Sequence, residues 1–86
     1  MRVKVRKIED GLHPNEVIVE VRTSNGSERL VVDKRAIEAN SLSVGAPLRQ
    51  DGGLHLVELP RETTNGQWRV WVESNVLSPD KSVKVA

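Results

Sequence analysis

Valine recurs at every second position along several stretches of this chain, and charged residues fill the positions between. Over residues 2–8, Arg2, Lys4 and Arg6 alternate with Val3 and Val5, and Ile8 follows. A period of two puts alternate side chains on opposite faces, so a first strand with one charged and one apolar face is expected. Residues 16–23 predict a second strand. Val17, Val19 and Val21 share one face, and Glu16, Ile18, Glu20 and Arg22 share the other. A third strand is expected over 28–33, with Leu30 and Val32 opposite Val31. Asn25-Gly26 between the last two reads as a tight hairpin, because both residue types accept the positive φ such turns need. Asp10-Gly11 and Pro14 mark the earlier connection.

Further on, Asp33 is placed to cap a short helix over 34–40, with Ala36 and Ile37 toward the core. Gly45 and Pro47 rule out a long helix. Pro47, Leu48 and Arg49 lead a fourth strand, and Asp51-Gly52-Gly53 turns the chain into a fifth through Leu54, Leu56, Val57 and Leu59. Residues 60–66 form a looser connection. The sixth strand, 67–73, sets Trp68, Val70 and Val72 against Gln67, Arg69, Trp71 and Glu73. Val76 and Leu77 close one helical turn. Residues 79–86 read as a flexible tail, with Val83 and Val85 spaced for an edge strand.

These segments repeat. The run from Asn25-Gly26 through Arg29-Leu30-Val31-Val32-Asp33 to Ala36-Ile37 returns forty positions later. There it reads Asn65-Gly66, then Arg69-Val70-Trp71-Val72-Glu73, then Val76-Leu77. Self-similarity at a fixed spacing points to repeated supersecondary units. Two units, about 2–40 and 44–78, are expected to form one mainly β domain, a small six-stranded barrel whose closure leaves no exposed edges. Leu30, Val32, Trp68, Val70 and Val72 are then expected inside. Val31 and Trp71 lie on the other face near Ile18, where an apolar surface can join a second copy or a protein partner.

Composition narrows the picture. At 86 residues the chain buries only about 60% of the surface its unfolded form exposes, which leaves little room for a deep substrate cavity. There is no Phe, Tyr or Cys, and Trp68 and Trp71 are the aromatic residues. Without cysteine there is neither a disulfide nor a thiolate metal site, and a reducing cytoplasm is the default location. No apolar run approaches the length of a membrane span. The net charge of +1 gives no global field, although Arg2, Lys4, Arg6 and Lys7 precede the first acid, Glu9.

Residues 17–60 carry a family likeness. Gly26, Arg29-Leu30-Val31-Val32, Lys34, Ala36 and Ile37 are followed by Leu42-Ser43-Val44-Gly45, Leu48 and Leu54-His55-Leu56-Val57. This order resembles the swapped-hairpin DNA-binding fold of the AbrB and MraZ type. The resemblance implies an interleaved dimer gripping DNA through Arg29, Lys34 and Arg35. Trp68 to Leu77 is also similar to the closing strand and helical turn of Src-homology-type barrels.

Candidate chemistry is sparse. His13 falls in a turn, and His55 alternates with Leu54 and Leu56, as on the polar face of a strand. Neither stands at a spacing that makes a nucleophilic triad or a metal site. Gly52-Gly53 lacks the further residues of a phosphate loop. No enzyme activity, cofactor, metal or small-molecule substrate is therefore expected. The leading expectation is a binding module for nucleic acid through Arg2, Lys4, Arg6, Arg29, Lys34 and Arg35, with salt-dependent phosphate contacts. Arg69 and Trp71 share a strand face on which a base can stack beside a cation. The competing expectation is a protein-interaction domain, dimeric or accessory, meeting its partner through Ile18, Val31 and Trp71.

Overall fold

A computed structural model describes residues 1–79 of the chain; the tail expected over 79–86, apart from Pro79, lies outside the described residues, as does the edge strand through Val83 and Val85. The strands follow the alternation in the sequence. β1 (Arg2–Asp10), β2 (Glu16–Thr23) and β3 (Gly26–Asp33) are antiparallel neighbours. A 3₁₀ turn, η1 (Lys34–Ala36), leads into the short strands β4 (Ile37–Glu38) and β5 (Ser41–Ser43). β6 (Arg49–Asp51), β7 (Leu54–Glu58) and β8 (Arg69–Glu73) make a second antiparallel sheet. A second 3₁₀ turn, η2 (Ser74–Val76), precedes β9 (Leu77–Ser78).

β1 is the spine of the larger sheet. Its second half pairs with β2, while Arg2 to Lys4 pair with β5 and Arg2 and Val3 also pair with β9. Val3 therefore lies between Leu42 and Leu77. The register against β2 shifts by one residue between Lys7 and Glu9. Lys7 precedes the shift and is out of phase with Arg2, Lys4 and Arg6 by alternation alone; its amine lies 3.1 Å from Asp10. Inward positions of both sheets meet in one cluster of thirteen buried residues, including Val3, Val19, Leu30, Leu42, Val57 and Val72.

The two similar sequence segments end in similar turns. Asp33 and Glu73 hold the N-cap positions of the two 3₁₀ turns, and Ile37 and Leu77 hold the C-cap positions. Leu30, Val32, Val70 and Val72 are all buried in the shared core. The caps themselves differ: Asp33 accepts a hydrogen bond from the Arg35 amide at 2.8 Å, while Glu73 makes no side-chain cap.

Four expectations are corrected. The strands do not close into a six-stranded barrel; they form two antiparallel sheets. Closure requires strand edges to pair throughout, whereas the outer edge of β3 is met by the 61–64 loop. There the Thr64 amide donates to Arg29 O at 2.8 Å and Arg61 Nη1 to Val31 O at 3.2 Å. The helix over 34–40 is a single 3₁₀ turn, because the chain returns to extended geometry at Ile37 and pairs with Leu42. Ala36 is exposed as a result. Trp68 does not point inward but is 52% exposed, since β8 begins only at Arg69. Trp71 does not adjoin Ile18; it pairs with Leu56 in the second sheet, whereas Ile18 pairs with Val31 in the first.

Two turns carry backbone detail that the sequence pattern did not foretell. The β2–β3 loop consists of Ser24 and Asn25, and the positive φ falls on Gly26 at 137°. The β4–β5 loop is Ala39 and Asn40, both left-handed at 52° and 60°. No helix among the described residues is long and apolar enough to cross a membrane.

Candidate functional site

The outward faces of β1, β2 and β3 gather most of the cations named above. Arg6, Glu20 and Arg29 stand on one rung, because Arg6 pairs with Glu20 and Glu20 with Arg29. Lys4 is the next outward residue on β1, and Arg22 the next on β2, opposite Ser27. Successive outward residues on a strand are roughly 7 Å apart. Lys4, Arg6, Arg22 and Ser27 line an open groove of about 550 Å³ with Asn75 of η2. A second groove continues from Lys4 and Asn75 to Arg2, Asn40 and Ser41.

The charges are unevenly matched. Arg2, Lys4, Arg6, Arg22 and Arg29 face two carboxylates, Glu20 and Glu38. The end of the sheet around these two grooves is therefore basic, while Glu9, Glu16 and Asp33 stand toward the other end of the same outward face. Glu20 is the central counter-charge. Arg6 Nη2 donates to it at 2.9 Å, Ser27 Oγ donates at 3.1 Å, and Arg29 Nε lies 3.9 Å away. These contacts, the Ser27 hydroxyl foremost, hold the Glu20 carboxyl below its ordinary value.

The remaining residues separate by role. Arg2 is a structural residue. Its side chain is 12% exposed, it donates to Ser41 Oγ at 2.7 Å and to Ser41 O at 2.9 Å, and Glu38 lies 3.8 Å away. Lys34 and Arg35 sit at the far end of β3, away from the groove. Arg35 is clasped by Asp33, with Nε–Oδ1 at 3.2 Å and Nη2–Oδ2 at 3.1 Å, and each group stabilises the charge of the other. Sequence reasoning treated six cations as one set; the structure brings Arg2, Lys4, Arg6 and Arg29 together and leaves Lys34 and Arg35 apart. It adds Arg22, which the alternation of β2 had already put in phase with Glu20.

The apolar face is split as well. Ile18 and Val31 share a rung of the larger sheet and line a groove with Leu12, Pro60, Arg61 and Trp68. Leu12 is 96% exposed. Trp71, half-buried, borders a separate recess with Asn25, Glu28 and Arg69. Arg69 is engaged by Glu58 at 3.6 Å. Trp68 was missed as a surface residue because strict alternation counts it with Val70 and Val72.

His13 is exposed in the β1–β2 turn, and its carbonyl accepts from the Glu16 amide at 3.0 Å. His55 is half-buried opposite Gln50 and Val72, on the same face as the buried Val57 rather than on a polar face. No group of three or more His, Cys, Asp or Glu that could hold a metal ion occurs among the described residues. No family model matches the chain, and no curated protein or solved structure does either.

Proposed function

We propose that this chain is a non-catalytic binding module of the cytoplasm whose ligand is the phosphate backbone of nucleic acid. The observation that carries the reading is the groove lined by Lys4, Arg6 and Arg22 on the outer sheet face, with Glu20 as its one carboxylate. Its volume is that of many ligand pockets, but such pockets are mostly apolar. A lining of flexible cations on an open sheet suits an extended polyanion better than a small apolar compound. Lys and Arg that displace counterions from phosphates give an affinity that falls steeply with salt. Asn75, Asn40 and Ser41 add polar groups along the same path. The support does not depend on the likeness of residues 17–60 to the AbrB and MraZ fold, because Lys34 and Arg35 are outside the groove.

The test is a titration of labelled DNA and RNA at low salt and at several salt concentrations. Binding should weaken linearly with the logarithm of salt. The double substitution Lys4→Ala, Arg22→Ala should lower affinity for all sequences and reduce the slope by about 1.4 to 1.8, since each phosphate contact contributes about 0.7 to 0.9. Failure to bind either polymer at low salt removes the reading.

A further inference from the structure

The groove beside the basic row has a feature that a plain phosphate surface does not need. On β2 the outward residue next to Glu20 is Ile18, and on β3 the one next to Arg29 is Val31. One step along the sheet, therefore, the cations give way to an apolar floor. That floor is walled by Leu12 from the β1–β2 turn and by Pro60 and the half-exposed Trp68 from the long β7–β8 connection. The two zones touch: Thr64, which lines the apolar groove, donates its amide to the carbonyl of Arg29.

Charge in this groove is opposite in tendency to the basic row. Glu16 and Glu62 line it, and Glu9 pairs with Ile18 on β1. Arg61 is held by Glu16 at 3.9 Å and by Val31 O at 3.2 Å. Phosphate is repelled here, while a neutral, flat group with N–H donors is not. Resting on the nucleic-acid reading above, we infer that the groove takes bases of a single strand whose phosphates lie along Lys4, Arg6, Arg22 and Arg29. Trp68 is the stacking platform, and the carboxylate of Glu62 is available to a base N–H. A duplex keeps its bases stacked internally and brings its second backbone toward Glu9, Glu16 and Glu62. The single strand is thus the preferred form. Stacking on a lone aromatic is tolerant of sequence, because every base has a π face.

The experiment titrates the full chain with a short oligothymidylate and with a duplex of equal length. Single-strand binding should be the tighter. Trp68→Ala should reduce oligothymidylate affinity at least about fivefold and change duplex affinity by less than about twofold. An unchanged amide circular-dichroism spectrum would show that the variant is folded. A second measurement avoids that variant. In Trp71→Phe the only indole is Trp68, and oligothymidylate should quench its emission to saturation. Unaltered single-strand affinity in Trp68→Ala, or no quenching in Trp71→Phe, overturns the stacking site while leaving the phosphate reading intact. Shielding of Trp68 by concentration-dependent dimerisation also overturns it, since the groove then belongs to a second copy. Loss of all nucleic-acid binding at low salt removes both.

Discussion

Under the proposed function, Glu20 sets how much of the basic face is open to an incoming anion. Its carboxylate occupies the position between Arg6 and Arg29 that a phosphate would take. Glu20→Gln keeps the shape and removes the charge. Oligonucleotide affinity at low salt should then rise severalfold, and the salt slope should steepen by about one contact, read in the same titration. The pH dependence follows from the lowered carboxyl. Because Ser27 and Arg6 hold it ionised, the stability these contacts provide is present above the unfolded glutamate value and is lost only as pH falls through the lower folded value. Affinity should therefore gain on acidification below the ordinary glutamate range, with a smaller gain in Glu20→Gln; an equal gain in both proteins would show that Glu20 does not gate the face. The phase of these residues was legible from the sequence, as Arg2, Lys4 and Arg6 alternate with valines. Their partners were not. Pairing of Arg6 with Glu20, and of Arg2 with Ser41, is set by inter-strand register, which no local pattern contains.

At the level of elements, β1, β2 and β3 were readable because alternation and turn residues agree there. The segment after β3 was not, because its pairing is long-range. Ile37 has a strand partner only once Leu42 returns beside Val3, and this pairing overrides the local helix signal from Asp33. Asn40 looked like a helix end, yet it shares a two-residue hairpin turn with Ala39. The β1–β2 connection shows how tightly one element can constrain its neighbour. Gly11 donates its amide to Glu16 O at 2.9 Å, and a Cβ at Gly11 would stand 2.7 Å from Glu16 Cβ and 3.2 Å from the Glu16 carbonyl carbon. Neither atom is the free end of a flexible side chain, so the backbone must yield. Gly11→Ala should cost about 1–3 kcal/mol, the usual range for an added group without space. Thermal unfolding of the variant at neutral pH would measure this, and a midpoint equal to that of the parent would mean the turn can open freely. Because Glu16 begins β2 and borders the Trp68 groove, the same change should weaken oligothymidylate more than duplex.

The whole molecule poses the question that the expected barrel would have answered by closure: what makes two separate sheets fold together. The second sheet offers only Val57, Leu59, Val70 and Val72, with its adjoining connection, to the buried cluster, too few for a core of its own. Small three-stranded sheets need a hydrophobic partner surface. Here that surface is the inner face of β1, β2 and β3, and β9 ties the end of the second half back to Val3. The forty-residue repeat was legible in the sequence, but its geometry was not, since two similar units can either seal a barrel or pack as two layers. Unfolding should accordingly be a single transition reported alike from either sheet. In a Trp68→Phe background Trp71 is the sole indole and reports on the second sheet alone. Leu30, fully buried on β3, is a probe in the other sheet. Leu30→Ala should lower stability by about 2–5 kcal/mol. If the core is shared, Trp71 emission and far-ultraviolet circular dichroism should shift together to lower denaturant, with coincident midpoints. Were Trp71 to keep its original midpoint while the circular dichroism moved, the two sheets would be independently stable, and strand pairing at Val3 would contribute nothing to their coupling.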